Sequence, residues 1–379
     1  MKIVHLSDLH LGKKVNEYSM IEDQKYILKK IINIIDGEKP DCVILAGDIY
    51  DKSVPSTEAV DLFDDFLFRL SQRDLQIFVI SGNHDSPERL AFGGRLMNES
   101  GVHLSPVYDG DIVPFTMKDE YGAVNIYMLP FVKPANVHRF FVEEEINTYT
   151  DALRTAIEKM SVNTSERNIL ITHQFVTGAE RAESEDISVG GTDNVDTSVF
   201  DDFDYVALGH IHRPQNVSSE RIRYCGTPLK YSFSEAKDQK SVTVAELEEK
   251  GTLNIRTVPL VPKHDMVELK GSYNELSLKS FYDGTSYQDD YVHITLTDED
   301  DILDAVSKLR AIYHNLMKLD YDNARTRHTA VITGEADVDN KSPVELFSDF
   351  YRLQNGTDMT DEQSEYVSGI IKNIWEDEI

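Results

Sequence analysis

Five short apolar stretches in this sequence each run directly into histidine, aspartate or asparagine. Lys2–Leu6 leads to Ser7-Asp8-Leu9-His10, Cys42–Ala46 to Gly47-Asp48, and Ile77–Ile80 to Ser81-Gly82-Asn83-His84-Asp85. Ile169–Ile171 leads to Thr172-His173, and Val206–Leu208 to Gly209-His210-Ile211-His212. The donors are oxygen and imidazole, without thiolate. That set argues against structural zinc and for Mn²⁺, Mg²⁺ or Fe²⁺ in a catalytic role. There are enough ligands for two ions sharing one carboxylate. Such a pair suits in-line displacement at phosphorus, because it stabilises the attacking and leaving oxygens together. A lone histidine is more often a core or surface residue, so each motif alone is weak. Their recurrence after successive strands carries the reading. Glycines before Asp48, Asn83 and His210 predict sharp turns that aim the next side chain at a common centre.

Such motifs need a scaffold that gathers strand ends. From residue 1 to about 260, strands alternate with amphipathic helices, which predicts an α/β domain. The strands expected are Lys2–Leu6, Cys42–Ala46, Ile77–Ser81, Val124–Leu129, Ile169–Thr172, Val206–Leu208 and Ser241–Leu247. Apolar residues at three- and four-residue spacing predict helices over Met20–Asp36, Ser56–Ser71 and Asn147–Met160. In α/β sheets, sites assemble where loops converge past the carboxyl ends of strands. The acidic, aperiodic run from Gly178 to Asp196 is expected to be a long surface loop.

Near Pro259–Pro262 the character changes. Strands at Met266–Leu269 and Tyr291–Thr297, a helix over Asp301–Met317 and a strand at Thr329–Thr333 predict a smaller β-α-β-like module. Ser342-Pro343-Val344-Glu345 then opens a helix bearing Leu346, Phe347, Phe350 and Tyr351. Thr360-Asp361-Glu362-Gln363 caps a second, bearing Ile370, Ile371, Ile374 and Trp375. These large apolar faces need a cover, either this chain's own body or a partner.

Composition bounds the rest. Against 38 basic residues stand 67 acidic ones, a formal charge of −29, which repels nucleic acid at long range. A DNA substrate therefore demands bound cations, a local basic patch or a partner protein. Cys42 and Cys225 sit in apolar stretches and read as buried thiols of a reducing compartment. No run approaches the roughly 20 apolar residues that span a bilayer, and the opening residues carry no signal-peptide pattern. A cytoplasmic protein is expected.

Asp8-x-His10, Gly47-Asp48, Gly82-Asn83-His84-Asp85, His173 and Gly209-His210-x-His212 together resemble the calcineurin-like metallophosphoesterase superfamily. MKIVHLSDLHLGK, GDIYDKSVPS, GNHDSPERL, THQFVTG, GTPLKYSFSE and SPVELFSDFY are similar to its DNA-repair branch. That branch comprises the bacterial counterparts of the archaeal and eukaryotic double-strand-break-repair nuclease. The resemblance covers essentially the whole chain. It implies a two-sheet α/β sandwich over 1–262, an α+β capping domain that positions DNA over 263–338, and C-terminal helices over 339–379.

The resemblance implies that Asp8, His10, Asp48 and His212 hold one metal. Asp48, Asn83, His173 and His210 hold the second, with Asp48 bridging. His84 then acts on the scissile phosphate or leaving oxygen, and Asp85 orients it. Lys13, Lys14, Arg89 and Arg95 are candidate phosphate contacts. Archaeal relatives carry a histidine where Asp51 stands, so that residue's role does not transfer.

The implied cofactors are two Mn²⁺, with Mg²⁺ possible. The implied reaction is double-strand exonuclease and single-strand or hairpin endonuclease cleavage in DNA end processing, repair and recombination. The implied partners are DNA, a second copy and an SMC-like ATPase, in a nucleoid-associated heterotetramer. ATP would enter only through that ATPase, since this chain has no Gly-x-x-x-x-Gly-Lys-Ser/Thr loop. Helices Ser56–Ser71 and Glu88–Glu99 are candidates for a dimer bundle. Two alternatives compete: a phosphodiesterase or phosphatase on a non-DNA substrate, and a non-catalytic scaffold. The first lacks the Arg-Gly expected after GDIYD, and the second should have lost ligands.

Overall fold

In this computed structural model the chain is described at residues 1–185, 193–324, 326, 343–355 and 358–376; the side chains at 343, 353–355, 361 and 372–376 lie outside that description. It divides into two compact units, Met1–Met266 and Val267–Ile379.

The first unit contains two six-stranded sheets. One runs in the order Leu253–Pro259, Ser241–Leu247, Lys2–Leu6, Cys42–Ala46, Gln76–Ile80, Val102–Leu104. Its last four strands are parallel, and the first two join antiparallel. The other runs Gln215–Val217, Ser219–Tyr224, Tyr205–Gly209, Arg167–His173, Gly122–Leu129, Phe115–Asp119, parallel through its centre and antiparallel at both edges. Parallel neighbours require crossovers. Helices Ile21–Glu38, Thr57–Ser71 and Tyr149–Lys159 supply them. Ser56 caps the second helix by accepting from Ala59 N, and a Thr148–Asp151 capping box starts the third.

Strand residues buried on both faces explain why these runs read as continuous apolar stretches rather than alternating ones. Alternate residues Ile3, Ile44, Phe78, Ile126, Ile169, Ile171 and Ala207 form the layer between the sheets. Their neighbours Leu170, Val206 and Leu208 face outward, onto helix residues Ala152, Leu153 and Ala156. The result is a two-sheet α/β sandwich. His5 lies in the inter-sheet layer, where Nδ1 meets the Tyr205 hydroxyl at 2.8 Å.

Two helical expectations change. The expected Glu88–Glu99 helix is two short pieces, Pro87–Leu90 and Gly94–Met97, interrupted where Gly93 takes φ 77°. The expected Asp301–Met317 helix is confined to Ala305–Arg310, and Asn315–Tyr321 is instead a strand parallel to Tyr291–Leu296. Tertiary pairing there overrides a locally helical pattern.

In the second unit, the sheet Met266–Gly271, Tyr291–Leu296, Asn315–Tyr321 closes over Leu276, Leu309 and Tyr313. The expected Thr329–Thr333 strand and Ser342 cap lie outside the described residues. Helices Pro343–Asn355 and Asp361–Glu376 follow. The second carries both arms of a capping box, Gln363 N to Thr360 Oγ1 and Thr360 N to Gln363 Oε1.

Candidate metal centre

The parallel strands of both sheets end at one edge, and the loops beyond them continue as a short ladder. Asp8 N donates to Gly47 O and His10 N to Asp48 O, each at 3.0 Å, and Leu11 N to Ile49 O at 2.9 Å. The backbone is strained where it delivers the side chains. Asp8, His10, Asp48 and His210 all have positive φ, at 53°, 43°, 49° and 99°. Each such residue costs on the order of 1–3 kcal/mol, which surrounding structure must hold in place. Two glycines serve by their size rather than by φ. A Cβ on Gly82 would stand 2.1 Å from Asp48 Oδ1, and one on Gly209 would stand 1.9 Å from Ala46 O.

Asp48 is the hub. Its Oδ2 lies 3.3 Å from His173 Nε2, 3.7 Å from His10 Nε2 and 3.9 Å from His84 Nε2. Its Oδ1 accepts from His84 N at 2.9 Å. On one side, His10 Nε2 meets His212 Nε2 at 3.1 Å, and Asp8, His10 and His212 converge on a common point. On the other, Asn83 Oδ1 meets His173 Nε2 at 3.0 Å and His210 Nδ1 at 2.9 Å. Asp8 carboxylate oxygens accept from Ser7 Oγ and from His210 N. Apart from Asn83 and His84, which are partly exposed, these side chains are buried.

The electrostatics are those of a site arranged around positive charge. His173 Nδ1 donates to Ala46 O at 2.8 Å, so Nε2 faces the oxygens of Asp48 and Asn83. Burial alone would lower this imidazole, but the charges of Asp48 and Asp8 override it and raise its pKa to about 9. A proton is thereby kept where a cation would sit. Burial, reinforced by Asp48, pushes Asp8 up to about 8. Burial opposes the Asp48 charge as well, yet the charge and hydrogen bond of His173 hold that carboxylate well below its usual range. His10 and His212 are pushed well down by burial and remain neutral, with lone pairs to donate. Ligands roughly 2.1 Å from one ion stand about 3 Å apart at right angles, close to the spacings found here. The residues therefore fit two divalent cations.

Comparison with known proteins gives the ancestry. Residues 1–214 match the model of the calcineurin-like phosphoesterases, and residues 262–355 match the Type 5 capsule protein repressor C-terminal domain. The chain is 32% identical over 378 residues to the SbcD component of the nuclease SbcCD of Staphylococcus epidermidis, covering 99% of both chains. It belongs to the SbcD family of calcineurin-like phosphoesterases. Among solved structures, a dimetal phosphatase from Danio rerio aligns with a TM-score of 0.46 at 12% identity, covering 69% of this chain and 96% of that one.

Within this SbcD-family centre, the other six residues expected as ligands are gathered around Asp48, and His84 stands beside them. Asp85 is placed differently from the expectation. Its carboxylate accepts from Ile49 N, Tyr50 N and Gly82 N, while His84 Nδ1 is held by Asp51 O at 3.1 Å. Asp85 thus pins two loops together, and the Asp51 backbone orients His84. Of the candidate phosphate contacts, Lys13 pairs its ammonium with Asp51 Oδ1 at 2.8 Å and lies over the Tyr231 ring. Lys14, Arg89 and Arg95 are exposed on short elements.

Several residues that shape the centre are not among the site residues expected from the sequence. Gln24 Nε2 donates to His10 O and Leu9 O, and the Tyr231 hydroxyl donates to Leu9 O. Ser184 and Glu235 reach His212 from distant loops. Only long-range contacts reveal them.

Among the expected partner-binding residues, Phe347, Phe350 and Ile370 are exposed, whereas Leu346, Tyr351 and Ile371 are half-buried. The Tyr351 hydroxyl donates to Gln363 Oε1, tying the two helices together. The side chains of Ile374 and Trp375 lie outside the described residues. Among the described residues, no helix is long and apolar enough to cross a membrane.

Proposed function

We propose that this chain is the nuclease component of an SbcCD-type complex, hydrolysing DNA phosphodiester bonds at the Asp48 centre. Two divalent cations, Mn²⁺ by preference, would supply Lewis-acid charge to the attacking and leaving oxygens. Asp8, His10 and His212 hold one and Asn83, His173 and His210 the other, with Asp48 shared. The observation that carries the reading is that one buried carboxylate, Asp48, has histidines from three separate chain segments within 4 Å.

His84 is the residue for proton work. Its Nδ1 proton is committed to Asp51 O, which leaves Nε2 toward the reaction. With 21% of its side chain exposed, it is open to a substrate. Protonated at Nε2, it assists departure of the sugar oxygen. The cleavage expected is exonucleolytic on duplex ends and endonucleolytic on single strands and hairpins.

The partner reading rests on uncovered apolar surface. Phe350 is 55% exposed and Tyr366 72%, on helices suited to an SbcC-type ATPase with SMC-like coiled coils. The capping role of residues 263–338 and the tail role of 339–379 follow from the same family likeness. Phe68, Phe92 and Leu96, 62%, 83% and 82% exposed, offer the second copy a surface. Phe63, Phe66 and Leu90 from the same candidate bundle are core residues. A cytoplasmic, nucleoid-associated protein fits this role.

The test is cleavage of linear and hairpin DNA, with and without the ATPase, in Mn²⁺ and in chelator. Mn²⁺-dependent cutting is expected. Inertness on every DNA combined with rapid hydrolysis of a cyclic nucleotide would show that the substrate assignment is wrong.

A further inference from the structure

We propose that Ser184 and Glu235 are positioning residues that fix the tautomer of His212, and with it the affinity of the cation position formed by Asp8, His10 and His212. The inference rests on the metal-centre reading above and concerns two side chains to which that reading gives no role.

Glu235 is fully buried. Its Oε2 takes the Lys240 ammonium at 2.5 Å, and its Oε1 accepts from Ser184 Oγ at 2.6 Å. Ser184 Oγ is also 2.6 Å from His212 Nδ1. A serine hydroxyl has one proton, and an ionised carboxylate can only accept. With that proton given to Glu235, the oxygen can only accept from His212, so Nδ1 carries the imidazole proton. Nε2 is then left with its lone pair, facing His10 Nε2 at 3.1 Å. This is the tautomer a ligand at Nε2 requires.

The same assembly also fixes the backbone of this residue. Lys240 Nζ donates to His212 O at 2.8 Å, Thr227 N donates to it at 3.0 Å, and His212 N donates to Glu185 Oε1 at 2.7 Å. Among the described residues, His10, His173 and His210 have no comparable serine–carboxylate relay. His173 rests its Nδ1 on a main-chain carbonyl instead. The two cation positions therefore depend on different supports. Only the His212 position depends on Ser184, a half-buried residue of the acidic loop.

The experiment measures Mn²⁺ binding by isothermal titration calorimetry on the full chain, with ¹⁵N shifts of the His212 ring in metal-free protein. Wild type should bind two equivalents and show Nδ1–H. Ser184→Ala should weaken one equivalent by about 10–100-fold and mix the tautomers, leaving the other equivalent within twofold. Ser184→Thr, which keeps the hydroxyl, should restore both readouts. Glu235→Gln should act in the same direction; because it strands Lys240 it can fail to fold, and the Ser184 pair then decides. Two wild-type affinities and an unmixed Nδ1–H signal in Ser184→Ala would overturn the proposal. Wild type that binds no Mn²⁺ would instead overturn the metal-centre reading on which it stands.

Discussion

At the scale of single residues, the centre combines side chains that want a cation with a backbone bent to present them. Asp8, His10, Asp48 and His210 tolerate left-handed φ because neighbouring loops bond across them, and because Gly82 and Gly209 leave no Cβ in the way. The candidate ligands are legible because each follows its strand within a few residues. The pairing of Ser184 with Glu235 is not, since 51 positions separate them, and although Glu235 closes the GTPLKYSFSE motif, nothing local says what it touches. Asp85 was legible as important, yet its task is visible only in its three amide contacts. In the proposed reaction His84 is a proton donor and not a ligand. Changing His84→Gln is expected to lower DNA cleavage by about 10²–10⁴-fold while calorimetry still counts two Mn²⁺. Loss of both ions in that variant would make His84 a ligand and leave the leaving group without its acid.

At the scale of elements, the strands were read well because parallel strands covered on both faces are uniformly apolar. The antiparallel edge strands were missed, and Phe115–Asp119 shows why. It alternates between half-buried and exposed residues, so its strand character comes from pairing with Gly122–Leu129. Its end is pinned by Asp119 to the buried Arg167, which also donates to Leu247 O, Glu248 O and Gly122 O. The Arg167 hydrogen bond holds the Asp119 carboxyl well below its ordinary value. A depressed carboxylate contributes stability that is present above the unfolded pKa of about 3.9 and lost as pH falls toward the folded one. Asp119→Asn should cost about 2 kcal/mol at neutral pH, the modest figure reflecting the carbonyls Arg167 retains. It should also flatten the acid limb of the stability profile. Equal losses at pH 7 and pH 2 in urea melts would contradict that linkage.

At the scale of the whole molecule, the proposed function asks a chain of formal charge −29 to meet a polyanion. On that proposal two divalent ions would place positive charge where the phosphate sits, and an ATPase partner would provide the remaining DNA grip. The second unit and its terminal helices show least in the sequence. Their apolar faces need a cover, from this chain's own body or from a partner, and exposure of Phe347, Phe350, Tyr366 and Ile370 favours the partner. Removing residues 342–379 should abolish co-purification with the ATPase and leave Mn²⁺-dependent hydrolysis by the remaining chain largely intact. Persistence of the complex after that truncation would place the contact elsewhere. The central claim is that one carboxylate, Asp48, is shared by two ions, and anomalous diffraction from Mn²⁺-loaded crystals tests it most directly. Two peaks are predicted, one bounded by Asp8, His10 and His212 and one by Asn83, His173 and His210, with Asp48 on both. A single peak, or two peaks of which either stands apart from Asp48, would contradict the account.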